Sequence, residues 1–357
     1  MPALFFATTT GGDSKVASGG FCEGARAIEG DGQRGRMSGQ RVVPSGFAEF
    51  DIKLLQAETI VDFDVYIWPE TSPIPVLYRA KNYTFDEEHR IRMMEAGTAQ
   101  VFMVQEDAPA LNLYVERHLD RIIASDELAV DEKAKILYDT SLTLAQEILD
   151  EPATHKNLKR SEALVRNTIS YVLLGKDAFH ELMALKAYDY RTYTHSVNVC
   201  AIGLALAEKV GFNSELELMS FGVGAIFHDV GKTKIPQDIL LKGTPLTDSD
   251  WVEIKKHPVT GLELIAPHTE FPDDAKAIVL DHHEWNDGRG YPNGKHEADI
   301  HPYAKIAALA DVFDALTSRR PYKDAVETYP ALRIMKDEVG AHFIDEYYRE
   351  FVKLLGQ

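Results

Sequence analysis

The feature that most constrains this 357-residue chain is a change of hydrophobic period part-way along it. From about Val42 to Ile123 the apolar residues fall in short β-prone runs, "FDIKLL", "DFDVYIW", "PVLYRA" and "AQVFMV", several with alternating faces. Between them "TFDEEHRIRMMEAG" reads as a helix closed by Gly97. From Asp126 to about Lys186 the runs "DEKAKILYDTSLTLAQEIL" and "SEALVRNTISYVLL" carry apolar residues at helical spacing, and the C-terminal half is helical in pattern almost throughout. A period of two and a period of 3.6 do not share one simple layer. The expectation is a multidomain chain: a small mixed α/β domain over 37–125 with a binding or regulatory office, a helical connector over 126–186 that dimerises or relays movement, and an all-α domain over 187–357. Residues 1–36 hold 8 of the 24 glycines, four acids and four bases without any apolar period, so they are expected as a disordered tail.

Composition excludes several classes of function. The chain is 45% hydrophobic, enough for two cores, but no apolar run approaches the roughly 20 residues that span a bilayer. A soluble cytoplasmic protein is the default. A net charge of -18 disfavours nucleic acid and anionic membranes as partners. The two cysteines, Cys22 and Cys200, make neither a disulfide framework nor a thiolate metal site, so any metal would be held by histidine and carboxylate.

"SELELMSFGVGAIFHDVGK" opens with Ser214 and Glu217 at capping-box spacing, runs apolar, then sets His228 and Asp229 after Phe227. A carboxylate among apolar neighbours costs several kcal/mol unless it is paired or bound to a metal. Gly231 is placed to end the helix and let Lys232 turn back. His195 in "YTHSVNV", His257 in "EIKKHPVTG", Asp311 in "KIAALADVFDALTS" and the pair His282-His283 in "DHHEWNDGRGYPNG" are each compatible with ordinary hydrogen-bonded side chains. Together they are five imidazoles and two carboxylates. That donor set suits iron, manganese, zinc or nickel, with Asp229 able to bridge two ions. After the histidine pair, Asp287-Gly288 and Gly290-Tyr291-Pro292 form a strongly specified turn, with glycine supplying positive φ.

The ordered set "HDVGK", "HHEWNDGRGYP" and "DVFDALTSRRPYK" resembles the HD-GYP group of the HD metal-dependent phosphohydrolases, whose members hydrolyse the bacterial second messenger cyclic diguanylate. The resemblance runs from about Tyr188 to the C-terminus. It implies an HD-type helical fold and two divalent ions, iron first and manganese next. His195, His228, Asp229 and Asp311 would hold one ion, and Asp229 would bridge to a second held by His257, His282 and His283. It also implies Asp229 and Lys232 as catalytic groups, with Lys232 on the scissile phosphate. Arg320, Lys323 and Tyr291 would contact substrate. A metal-activated hydroxide would open cyclic di-GMP to the linear dinucleotide and then GMP. Some members place a glutamate four residues before the first histidine and hold a third ion; Arg191 stands there in this chain, with Asp189 nearby, which leaves two ions as the expectation. A diguanylate cyclase docking on the GYP turn, and a homodimer, are the further partners implied. The alternatives are hydrolysis of another cyclic dinucleotide or nucleotide, and a non-catalytic module that binds the messenger or docks the cyclase.

Overall fold

A computed structural model of the chain describes residues 42–151, 154–186, 192–240, 242–318 and 325–356. The tail expected at 1–36, and Asp189, Arg191, Arg320 and Lys323, lie outside the described residues. The chain divides into two compact units with the boundary between Thr140 and Ser141.

The first unit holds six short strands among the described residues: β1 (Phe47–Asp51), β2 (Thr59–Val61), β3 (Val65–Ile67), β4 (Val76–Arg79), β5 (Tyr83–Phe85) and β6 (Gln100–Val104). Four of them make an antiparallel sheet in the order β1-β6-β3-β4, with Phe47 opposite Val104 and Asp51 opposite Gln100. β2 and β5 pair separately, Thr59 opposite Phe85. Helices α1 (Glu87–Glu95), α2 (Ala108–Arg117), α3 (Leu119–Ala124) and α4 (Val130–Asp150) complete this part of the chain, α4 running across the unit boundary. The core is aromatic, Phe63 meeting Phe50 and Tyr114 edge to face at 5.7 and 5.9 Å. α1 starts where the Asp86 carboxylate accepts from the His89 N–H and is closed by Gly97, whose own N–H donates to the Met94 carbonyl and whose φ of +77° lets the Thr98 N–H turn back onto the Met93 carbonyl. The sequence pattern differs from the fold in two places. "FDIKLL" is not one strand, because the Asp51 carboxylate accepts from the Lys53 N–H and starts a 3₁₀ turn over Ile52–Leu54. Thr84 and Phe85, at the head of the expected helix, belong to β5.

The second unit is helical: α5 (His155–Val172), α6 (Lys176–Ala184), α7 (Thr192–Lys209), α8 (Glu215–Phe227), α9 (Gln237–Leu240), α10 (Asp248–Ile254), α11 (His257–Ile265), α12 (Asp273–Asp281), α13 (Pro302–Thr317), α14 (Thr328–Val339) and α15 (Asp345–Leu355). α7 is buried without a break from Thr194 to Ala207, and α8 and α13, nearly as enclosed, each pack on it as core helices with no polar face. α12 lies against α8 and α13, and α11 against α12. The capping box forms: the Ser214 hydroxyl accepts from the Glu217 N–H, and the Glu217 carboxylate accepts from the Ser214 N–H. α8 ends at Phe227, before Gly231, and Val230–Lys234 is a 3₁₀ turn. Gly231 is needed there for a different reason from the expected one, since a Cβ on it would lie 2.0 Å from the His257 carbonyl oxygen. The missing side chain brings the turn after α8 directly onto the start of α11.

Candidate metal centre

Five elements bring the seven expected ligands to one place. His195 sits on the first turns of α7, His228 and Asp229 just past α8, His257 at the first position of α11, His282 and His283 just past α12, and Asp311 inside α13. All seven are buried. Their donor atoms fall into two groups, each within 4.8 Å: Asp229 with His257, His282 and His283, and His195 with His228 and Asp311. Asp229 faces both groups. Its Oδ1 lies 3.3 Å from His257 Nε2 and 3.8 Å from His282 Nε2, while Oδ2 lies 3.4 Å from His228 Nε2 and 3.8 Å from His195 Nε2.

The helices themselves choose which nitrogen each ring presents. His228 Nδ1 donates to the Ala225 carbonyl at 2.7 Å, His257 Nδ1 to Ile254 at 2.8 Å, and His282 Nδ1 to Ile278 at 3.0 Å. A carbonyl can only accept, so Nδ1 carries the proton and Nε2 is left to face the cluster. His228 Nε2, His283 Nε2, Asp229 Oδ1 and Asp311 Oδ2 are buried without a hydrogen-bond partner. Orphaned atoms of this kind are costly singly and rare as a group, and one divalent cation in each donor group would satisfy them, His283 and Asp229 in one, His228 and Asp311 in the other. The residues therefore fit the ion that the donor chemistry implies.

Electrostatics agree with that fit. Burial pushes the His257 and His282 imidazoles well below their usual range, with Asp229 opposing, and holds His283 at about 4, with Asp311 opposing. These rings are neutral near pH 7. Burial works against charge on Asp229, yet Lys232 and the surrounding imidazoles hold its carboxyl well below the carboxylate range. The Lys232 ammonium turns back onto Asp229 Oδ2, as the sequence led one to expect.

The loop after the histidine pair folds onto the site. Tyr291 donates its N–H to the His283 carbonyl at 3.0 Å, and its ring stacks on His283 with centroids 4.6 Å apart. Lys255 Nζ lies 5.3 Å from the centre of the Tyr291 ring. The Tyr291-Pro292 bond is cis. Positive φ occurs at Gly288 and Gly294 but not at Gly290, which corrects the reason for that glycine. A Cβ on Gly290 would meet the backbone of residues 283–285 at 2.4 to 2.6 Å, so it is close approach and not handedness that excludes a side chain. Arg320 and Lys323 fall outside the described residues.

Two groups at the site had not been picked out from the sequence. Glu284 is buried and accepts from the N–H groups of Asn293 and Lys295 at 2.6 and 2.8 Å, closing the loop across its base. Asp314 accepts from His195 Nδ1 at 2.7 Å. Its signal was the spacing of "DVFD", which puts Asp314 one turn beyond Asp311 on the same helix face.

Residues 177–346 match the protein family described as HD domain. This part of the chain is similar to an HD domain. HD domains bind divalent metal ions, in keeping with the two donor groups. Over 193 residues the chain is 36% identical to a cyclic di-GMP phosphodiesterase of Pseudomonas aeruginosa, covering 54% of this chain and 46% of that one. Over 261 residues it is 34% identical to a cyclic di-GMP phosphodiesterase response regulator of Xanthomonas campestris pv. campestris, covering 72% of this chain and 62% of the relative. The chain thus spans less than two thirds of the length of either relative. Among solved structures it shares a fold with Bd1817, a HDG"Y"P protein from Bdellovibrio bacteriovorus, at a TM-score of 0.62 and 18% identity over 87% of this chain and 100% of that one. No helix among the described residues is long and apolar enough to cross a membrane.

Proposed function

We propose that this protein is a metal-dependent phosphodiesterase that opens a cyclic dinucleotide, cyclic di-GMP first, to the linear dinucleotide and then to GMP. The observation that carries the reading is the division of Asp229: one carboxylate oxygen faces His257 and His282, the other His195 and His228. A carboxylate divided in this way would be able to serve two ions at once. His195, His228, Asp229 and Asp311 would hold one, and Asp229, His257, His282 and His283 the other. Imidazole and carboxylate donors suit iron, manganese, zinc or nickel, and the resemblance to the HD-GYP phosphohydrolases puts iron first and manganese next. Bound there, two divalent ions would place positive charge beside the phosphodiester and favour deprotonation of the attacking water. They also reconcile a chain of net charge -18 with an anionic substrate.

Lys232 holds an ammonium against Asp229 and can donate to a non-bridging phosphate oxygen as charge develops there. Tyr291 shapes the wall of the site through its stack on His283, and Arg320 and Lys323 remain the proposed grips on the nucleotide phosphates. The inward packing of Gly290 and Tyr291 favours this role for the GYP turn over a surface for a diguanylate cyclase. The test is turnover by protein loaded anaerobically with iron or manganese, with cyclic di-GMP and a mixed guanine–adenine cyclic dinucleotide assayed side by side. Linear product from cyclic di-GMP at the higher kcat/KM is expected. Metal-loaded protein that cleaves neither ring would overturn the reading, and preference for the mixed ring would move the substrate.

A further inference from the structure

Asp314 is completely buried, at 0% exposure, and has no ligand role in the reading above. Its Oδ2 accepts from His195 Nδ1 at 2.7 Å, and its Oδ1 accepts from Asn198 Nδ2 at 2.9 Å and Ser318 Oγ at 3.1 Å. The counter-charge is Lys186, just past the end of α6, whose Nζ lies 2.7 Å from Oδ1. The same ammonium reaches the Thr317 hydroxyl and lies 5.1 Å from the centre of the Phe313 ring. A buried carboxylate is tolerated when it is paired and fully hydrogen-bonded, and Asp314 is both.

The bond to Asp314 commits His195 Nδ1 to donation, so the nitrogen that faces the cluster is Nε2, 3.0 Å from Asp311 Oδ1 and 3.8 Å from Asp229 Oδ2. We propose that Asp314, braced by Lys186, is a positioning pair that fixes the tautomer and ring plane of His195 and thereby sets how tightly the His195–His228–Asp311 half of the centre holds a divalent ion. The proposal rests on the metal-binding reading of that half. The contrast with the other rings gives it its content. His228, His257 and His282 are oriented by carbonyls three or four residues earlier in their own chain, whereas His195 is oriented by a residue 119 positions away. Orientation of His195 depends on the packing of α7 on α13 and on where α6 delivers Lys186. A displacement of the α6 end is therefore felt first in this half of the centre, and the His257–His282–His283 half is insulated from it.

The test is calorimetric titration of manganese into the metal-stripped full-length chain without nucleotide, with melting of the metal-free protein measured alongside. The parent should show two sites. Asp314→Asn, which can present an amide N–H where a carboxylate accepted, should weaken one site by about 10- to 100-fold, leave the other at the parent's affinity, and melt near the parent's temperature. Lys186→Met should weaken the same site and Lys186→Arg should restore it; this pair leaves Asp314 in place and carries the test if Asp314→Asn fails to fold. Parent-like affinity at both sites in Asp314→Asn or Lys186→Met would overturn the proposal. So would equal weakening of both sites with a lowered melting temperature, the mark of a general packing role. A parent that takes up no manganese or iron removes the metal-binding reading itself, and the proposal with it.

Discussion

Buried polar groups behave differently in the two units. In the sheet unit, Tyr114 is fully enclosed, and its hydroxyl accepts from the Gln56 N–H at 2.8 Å and meets the Thr59 hydroxyl at 2.6 Å, which in turn donates to the Gln56 carbonyl. Donors and acceptors answer one another. In the helical unit, four buried nitrogen and oxygen atoms at the cluster of His228, Asp229, His283 and Asp311 have no such answer. The sheet unit has unpartnered atoms too, Arg79 Nε and Asn112 Oδ1, but they belong to different elements and form no group of metal-binding residues. A closed polar set contributes to stability, and a convergent open set signals a charge that comes from outside the chain.

The sharpest way to break this contrast is to remove the open set. Replacing His228 and Asp229 together by alanine should lower turnover by about 10³-fold or more and strip most bound metal, because the double change takes ligands from both proposed ions. Full metal occupancy and activity in that variant would end the site assignment. Lys232→Ala should cost about 10²-fold or more in rate while metal content stays at the parent's level, the scale of one electrostatic donor to a transition state. Loss of metal together with rate would make Lys232 structural. Gly290→Val should drive a side chain into the backbone of residues 283–285 and lower turnover by about 10²-fold, with metal retained. Unchanged turnover combined with lost binding to a diguanylate cyclase would instead make the turn an interaction surface. The smallest effect belongs to the closed set: Tyr114→Phe should destabilise the sheet unit by about 1–3 kcal/mol, measured by urea unfolding, and leave metal content unchanged. A change in metal content there would show that the two polar sets are not independent.

What could be read from the sequence follows the same division. His228, Asp229 and Asp311 stood out because each is a polar group inside or at the end of an apolar run, whereas His195, His257 and the His282-His283 pair gained their weight from the whole set and from the ordered motifs that resemble the HD-GYP group. Asp314 escaped notice because its partners, Lys186, His195 and Asn198, lie far from it in the chain, and tertiary packing alone brings them together. Glu284 was hidden for another reason: its partners are backbone N–H groups, which have no residue-type signature. β2 and β5 are three residues each, too short for a period of two to register. Gly290 was correctly singled out for the wrong cause, since a glycine required by close approach looks identical in sequence to one required by positive φ.

The hydrogen bonds from His228, His257 and His282 to the carbonyls of their own preceding turns carry a consequence for how the centre fills. Each bond forms as its helix end forms, so these three rings are aimed before any ion arrives, and little conformational entropy is left to lose on uptake. His257, His282 and His283 are also already neutral at pH 7, because burial disfavours their protonated forms. Ion uptake at this half then displaces few protons from imidazole, and its affinity should stay nearly flat as the buffer is taken from pH 7 to 8. The protein would capture its metal as a finished socket captures a plug, with the folding of three helix ends, and not the acidity of the surroundings, deciding when the site is ready.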